Sequence, residues 1–131
     1  MTITSGYYEV YAEVYFSAAH RLTEYHGKCE HLHGHNWRVG VGVRSRRLNA
    51  EGMVVDFLEL KRMASEVVGA LDHQYLNDLP AFRSRQPTAE HIARHIHTQM
   101  AVLLHGRCDE LEITVWETPM QYAKYTGCLR R

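Results

Sequence analysis

Cysteine is scarce here. Three of 131 residues are cysteine, widely spaced and odd in number, so no disulfide framework holds this fold together. That usage fits a reducing cytosol, with at most one cysteine given to chemistry. A surplus of charge is missing too: Lys+Arg and Asp+Glu both number 15. Such a balance argues against a general nucleic-acid binder, although a single basic pocket remains compatible with it. No apolar run approaches the ~20 residues that span a bilayer, so no membrane partner is expected. The N-terminus lacks the basic and apolar stretches of a signal peptide, which makes the expected location cytoplasmic. Repeats, low-complexity tracts and interdomain linkers are absent as well. One domain covering residues 1–131 follows from the length.

What the chain has is histidine, ten in all. His33-Gly34-His35 places two imidazoles on one face if the backbone is extended, because a strand returns to the same side every two residues. Residues 7–19 read as a first strand rich in Tyr, Val and Phe. In 35–45, Trp37, Val39, Val41 and Val43 alternate with Arg38, Gly40, Gly42 and Arg44. Antiparallel pairing of the two as a long-looped hairpin brings His20 beside His33 and His35. Three protein ligands leave one position open on a tetrahedral ion, as in catalytic zinc sites.

Asp56 opens a helix, with Glu59 as its capping-box partner and Phe57, Leu60, Ala64, Val67, Val68 and Leu71 as its apolar stripe. Thr88 caps a second helix that buries Ile92, Ile96, Met100 and Leu103 and ends at Gly106. Leu111, Ile113, Val115 and Glu117 alternate down a third strand, and Tyr122 to Leu129 form a fourth. The order ββααββ specifies an α+β layer, four antiparallel strands with two helices on one face.

Each remaining candidate has two readings. Cys29 is either a small buried hydrophobe or a thiolate favoured by Lys28 and the metal. Asp72 and His73 are either loop residues complementing a helix end or an acid/base pair. Sequence neighbours do not easily hydrogen-bond side chain to side chain, so the two are expected to act on different partners. Glu117 is either half exposed and harmless at a strand end or a carboxylate reserved for a ligand with paired N–H donors. His91, His95 and His97 lack the metalloprotease pattern and read as a solvated helix face. Cys108 and Cys128 read as structural.

Several separate stretches, in order, carry a resemblance: Phe16 to Leu22, Cys29 to His35, Val55-Asp56-Phe57 with Leu60-Lys61, and Leu71-Asp72-His73 with Leu76-Asn77-Asp78. Pro87 to Glu90 and Glu117-Thr118 complete it. Together they resemble the 6-pyruvoyl-tetrahydropterin synthase family over nearly the whole chain. The three residues between Cys29 and His33 are similar to the carboxy-forming bacterial branch. That resemblance implies the T-fold, with subunits assembled into a barrel, usually a hexamer built from two trimers. It implies Zn2+ on His20, His33 and His35, a catalytic Cys29, and Asp72 and His73 as acid/base partners. Glu117 would anchor the pterin ring, Thr88 would line its pocket, and Lys28 and Arg21 are candidates for the triphosphate. The implied substrate is 7,8-dihydroneopterin triphosphate, and the implied product a carboxylated tetrahydropterin for queuosine and 7-deazaguanine synthesis.

Overall fold

The computed structural model describes residues 5–23 and 31–129. Strands β1 (Tyr8–His20) and β2 (His33–Ser45) come first, followed by helix α1 (Phe57–Gly69) and a two-residue strand β3 (Gln74–Tyr75). Two single turns of 3-10 helix lead into α2 (Ala89–Leu103), and β4 (Glu110–Thr118) and β5 (Gln121–Cys128) close the chain. The sheet order is β3-β1-β2-β4-β5. The four long strands are antiparallel, as the alternation specified. β3 is an addition: it runs parallel to β1 through Ala18–Gln74 and Ala19–Tyr75 and is too short to show a period in sequence.

β1 and β2 pair along their whole length, from Tyr8–Ser45 to His20–His33. One face of the sheet carries Val14, Phe16 and Ala18 of β1, Trp37, Val39, Val41 and Val43 of β2, and Leu111, Ile113 and Val115 of β4. Against it pack Leu60, Met63, Ala64, Val67 and Val68 of α1 and Ile92, Ala93, Ile96 and Met100 of α2. Each large apolar side chain sealed in this layer contributes about 1.5–3 kcal/mol. Neither helix is long and apolar enough to cross a membrane.

Both helix starts are capped where the sequence placed them. Asp56 accepts from the backbone N–H of Leu58 at 2.7 Å, and Thr88 Oγ1 accepts from that of His91 at 3.1 Å. Glu59 does not complete a capping box. Its two oxygens accept from the two Arg107 Nη groups at 2.8 and 2.9 Å, which ties the start of α1 to the chain leaving α2. Gly106 makes that exit possible with φ of 76°, a conformation strained for residues with a Cβ. Two stripe residues are also corrected. Phe57, the first residue of α1, is 61% exposed, and Leu104 takes the buried place expected for Leu103, four residues beyond Met100.

The opposite face of the sheet is polar. Arg44 donates to Glu9 on β1 and to Glu110 and Glu112 on β4, and Lys124 of β5 reaches Glu112 at 3.4 Å. These contacts stitch four strands by charge. The glycines of β2 make room on the same side: a Cβ at Gly40 would lie 2.2 Å from the Tyr11 hydroxyl.

His97 departs from the solvated helix face expected of it. It is 7% exposed, its ring edge meets Tyr125, and Nε2–H donates to the Leu111 carbonyl at 3.1 Å. Gly127 admits the ring, since a Cβ there would stand 2.9 Å from His97 Cε1. Gly127→Ala should therefore cost about 1–3 kcal/mol, the usual range for overpacking a closed site. Urea denaturation measures this, and an unchanged midpoint would mean that the ring has room to retreat.

Burial holds the His97 imidazolium form down, and two backbone contacts only partly restore it. A lowered folded-state value favours the neutral ring in the native state. Its stabilising contribution is complete above the ordinary value of about 6.5 and falls away as pH drops through the folded value. Tm should fall on acidification from pH 7, and His97→Gln, which keeps a donor for Leu111, should show the shallower slope. Equal slopes in the two proteins would remove His97 from the acid response.

Candidate metal and proton-transfer site

The alternation that builds the core also builds the site. His20 continues the buried stripe of β1, His33 and His35 that of β2, and Glu117 that of β4, all at one end of the sheet. The four ligand atoms lie within 4.8 Å of one another. Glu117 Oε1 is 2.9 Å from His35 Nε2, 3.1 Å from His20 Nε2 and 3.7 Å from His33 Nε2. Trp37 forms the floor, with its ring centroid 4.9 Å from that of His20 and 5.4 Å from that of His35, both near perpendicular.

Two of the imidazoles are oriented from behind. His20 Nδ1–H donates to the Pro87 carbonyl at 2.9 Å, and His33 Nδ1–H donates to the His31 carbonyl at 2.8 Å. A carbonyl only accepts, so in the neutral rings Nε2 carries the lone pair. In that neutral form the lone pairs converge beside a carboxylate oxygen, as the donors around a bound cation do. Donors bound at ~2.0–2.1 Å around one tetrahedral ion stand about 3.3 Å apart. The observed 2.9, 3.1 and 3.7 Å straddle that separation. Backbone carbonyls gripping the second ring nitrogen are also the usual support of metal-binding histidines. The donor set fits a divalent ion.

Asp72 and His73 form a pair of their own, contrary to the expectation that they act on different partners. His73 Nδ1 lies 3.1 Å from Asp72 Oδ2. His73 adopts φ of 58°, and this left-handed turn swings its ring back over its neighbour. The turn is anchored to β1 twice: Ser17 N–H donates to Asp72 Oδ1 at 2.9 Å, and His73 N–H donates to the Ser17 carbonyl at 2.6 Å. The Ser17 amide, helped by the nearby His73, holds the Asp72 carboxyl below the usual carboxylate range. His73 is 82% exposed, yet it lines the same cavity as His35, a space of about 550 Å³ that also touches Asn36 and Tyr75.

The other sequence candidates separate from this cluster. Thr88 is half-buried and its hydroxyl oxygen caps α2, one residue from the carbonyl that holds His20. Lys28 and Cys29 lie outside the described residues. Cys108 is buried in the core and Cys128 is exposed. Sequence reading missed the supporting backbone: Pro87, His31 and Ser17 act through main-chain groups, which side-chain identity does not reveal.

The sequence pattern of 6-pyruvoyl tetrahydropterin synthase matches residues 9–128. The chain belongs to that family. The family match makes it a pterin-converting lyase, with the three-histidine, one-glutamate cluster typical of the family's metal site. A 6-carboxy-5,6,7,8-tetrahydropterin synthase of Synechocystis is 44% identical over 96 residues, covering 70% of this chain and 73% of the relative. A putative enzyme of the same name from Archaeoglobus fulgidus is 42% identical over 86 residues, covering 66% and 70%. A putative 6-pyruvoyl tetrahydrobiopterin synthase of Caenorhabditis elegans is 32% identical over 126 residues, covering 86% and 90%. Among solved structures, 6-pyruvoyl tetrahydropterin synthase of Plasmodium falciparum superposes with a TM-score of 0.80 at 26% identity, covering 95% of this chain and 100% of that one. The fold is the T-fold expected from the resemblance.

Purified protein should bind about one divalent ion per chain, as a single three-histidine centre requires. His33→Ala and His35→Ala should each lose most of it, because each removes one of the three imidazole donors of the cluster. Both sit at the rim of the core, so far-UV circular dichroism should stay near wild type. Wild-type metal content by plasma mass spectrometry in both variants would disprove the ligand set.

Proposed function

We propose that this protein is a zinc-dependent 6-carboxy-tetrahydropterin synthase. It converts 7,8-dihydroneopterin triphosphate and water to 6-carboxy-5,6,7,8-tetrahydropterin, acetaldehyde and triphosphate, on the route to queuosine and 7-deazaguanines. The observation that carries this choice within the family is the 42–44% identity to two relatives bearing that name. The three-residue interval between Cys29 and His33 supports it.

His20, His33 and His35 would hold the zinc through Nε2. When bound, the ion supplies Lewis acidity toward the hydroxyls of the substrate side chain. Glu117 is the proposed anchor of the pterin ring, its carboxylate accepting from the paired N–H donors at the amino edge. It stands 2.9–3.7 Å from the Nε2 atoms of His20, His33 and His35, so the ring it would hold lies beside the metal cluster.

Asp72 stays ionised and fixes the His73 ring through Nδ1–H, which leaves Nε2 to take and return a proton at the side-chain carbons. Cys29 as thiolate is the proposed partner for the opposite proton transfer. Thr88 borders the pterin pocket and Lys28 is a counter-charge for the phosphates. An exposed dyad does proton transfer best when water is excluded, so we assign its cover to neighbouring copies in a hexamer of two trimers.

The same parts could instead yield 6-pyruvoyl-tetrahydropterin, the alternative favoured by the Caenorhabditis elegans relative at 32% identity. The two outcomes differ in one carbon–carbon cleavage. Zinc-loaded protein incubated with dihydroneopterin triphosphate should give the carboxylated product by mass spectrometry and acetaldehyde in a trapping assay. A product that keeps the three-carbon side chain, without acetaldehyde, would replace this reading with the pyruvoyl one.

A further inference from the structure

We propose that Arg21, Arg83 and Arg85 form the subsite that holds the triphosphate of the substrate; the proposal rests on the pterin-triphosphate reading above. All three line a second cavity, of about 490 Å³, distinct from the one that His73 and His35 share. Among the described residues, Asp78 is the one carboxylate on its wall. This concentration of positive charge stands out in a chain whose formal net charge is zero.

The arginines of this cavity also differ from several others in their pairing. Arg38, Arg44 and Arg107 each donate to a glutamate. Among the described residues, Arg21, Arg83 and Arg85 make no ion pair with an acid. Guanidinium groups bind phosphate oxygens two at a time, and several together suit a polyphosphate better than any single anion.

The walls are held in place. Asn77 accepts from the Arg21 N–H at 3.0 Å and donates to the Arg21 carbonyl at 2.8 Å. Gln86 accepts from the Thr23 N–H at 3.0 Å and donates to the Thr23 hydroxyl at 2.9 Å. Two amide side chains thus lock the segment after β1 onto the segment before α2, and the cavity lies between them. It also borders the metal site from two sides. Arg21 directly follows the ligand His20, and Gln86 directly precedes Pro87, whose carbonyl grips the same imidazole. Adjacent residues are about 3.8 Å apart along the chain. The phosphate ester of dihydroneopterin triphosphate is on the third side-chain carbon, next to the two hydroxyl-bearing carbons proposed to meet the metal. A cationic cavity one residue from the ligand is where that ester would lead.

The test uses the full-length, metal-loaded protein and two probes, inorganic tripolyphosphate and unphosphorylated 7,8-dihydroneopterin, both followed by titration calorimetry. Arg83→Gln/Arg85→Gln should weaken tripolyphosphate at least tenfold, the loss expected for a charge-assisted contact. It should raise KM for the triphosphate substrate by a similar factor and leave metal content and dihydroneopterin affinity at wild-type values. Single Arg83→Gln and Arg85→Gln variants, each intermediate, guard against a folding defect in the double variant. Arg62→Gln, at an exposed arginine of α1, is the charge-matched control and should change neither probe. Tripolyphosphate binding and KM within about twofold of wild type in the double variant would overturn the subsite, since a lost charge-assisted contact costs more than that. Failure of the pterin reading shows differently: wild-type protein would then neither bind dihydroneopterin nor turn over its triphosphate, whatever the arginine variants do.

Discussion

Everything in this molecule depends on the register between β1 and β2. Their pairing sets His20 opposite His33 and Phe16 opposite Trp37. Side chains alternate with period two, so a slip of one residue would send every side chain of one strand to the other face. The same slip would put Val14, Phe16 and Ala18 in solvent and remove His20 from the histidines of β2. Core and metal site share one parity. The hydrophobic effect that fixes the register therefore also fixes the donor geometry, with no separate energy needed to assemble the ligands.

β4 extends that logic to a charge. Leu111, Ile113 and Val115 are wholly buried, and the next residue of the same parity is Glu117. A carboxylate on this face is tolerable only where the apolar layer ends, and there it meets three imidazole nitrogens. Two of those rings have their Nδ1–H groups committed to backbone carbonyls. With those rings neutral, their Nε2 lone pairs face a carboxylate, so the cluster is a donor set suited to a cation. Trp37 beneath it excludes water on one side and stacks on Phe16 at 5.8 Å, tying the site floor to the core.

Strong periodicity was legible in sequence, and so was whatever hung on it. The 13-residue β2 and its stripe of Trp and Val announced themselves, and the antiparallel hairpin carried His20 to its partners. Helix caps at Asp56 and Thr88 were equally readable, since a short polar side chain before an apolar stripe has a specific partner in the first turn. What escaped was long-range or main-chain in nature. Glu59 fits a local capping box by spacing, but Arg107, 48 residues away, offers its carboxylate a bidentate partner. His97 looked solvated because its neighbours in sequence are polar, and its burial depends on Gly127 of β5 leaving space. The two-residue β3 had no period to show.

The Asp72–His73 pair sets the limit of local reasoning. Adjacent side chains on an extended or helical backbone diverge, and on that premise the two residues belonged to different partners. A left-handed residue breaks the premise, and histidine is among the side chains that enter this region several times more often than most. Such a conformation costs energy and persists only where surroundings over-determine it. Here they do: Ser17 binds the Asp72 carboxylate and the His73 amide at once, and Gln74 and Tyr75 then continue as a strand along β1. The short β3 is thus the clamp that holds the turn, since its ladder with Ala18 and Ala19 begins one residue after His73. The dyad and the metal cluster are consequently referenced to one strand. Ser17 positions the first and His20, three residues on, belongs to the second, so the geometry between the Asp72–His73 pair and the histidine cluster is set by the rigid rise of β1.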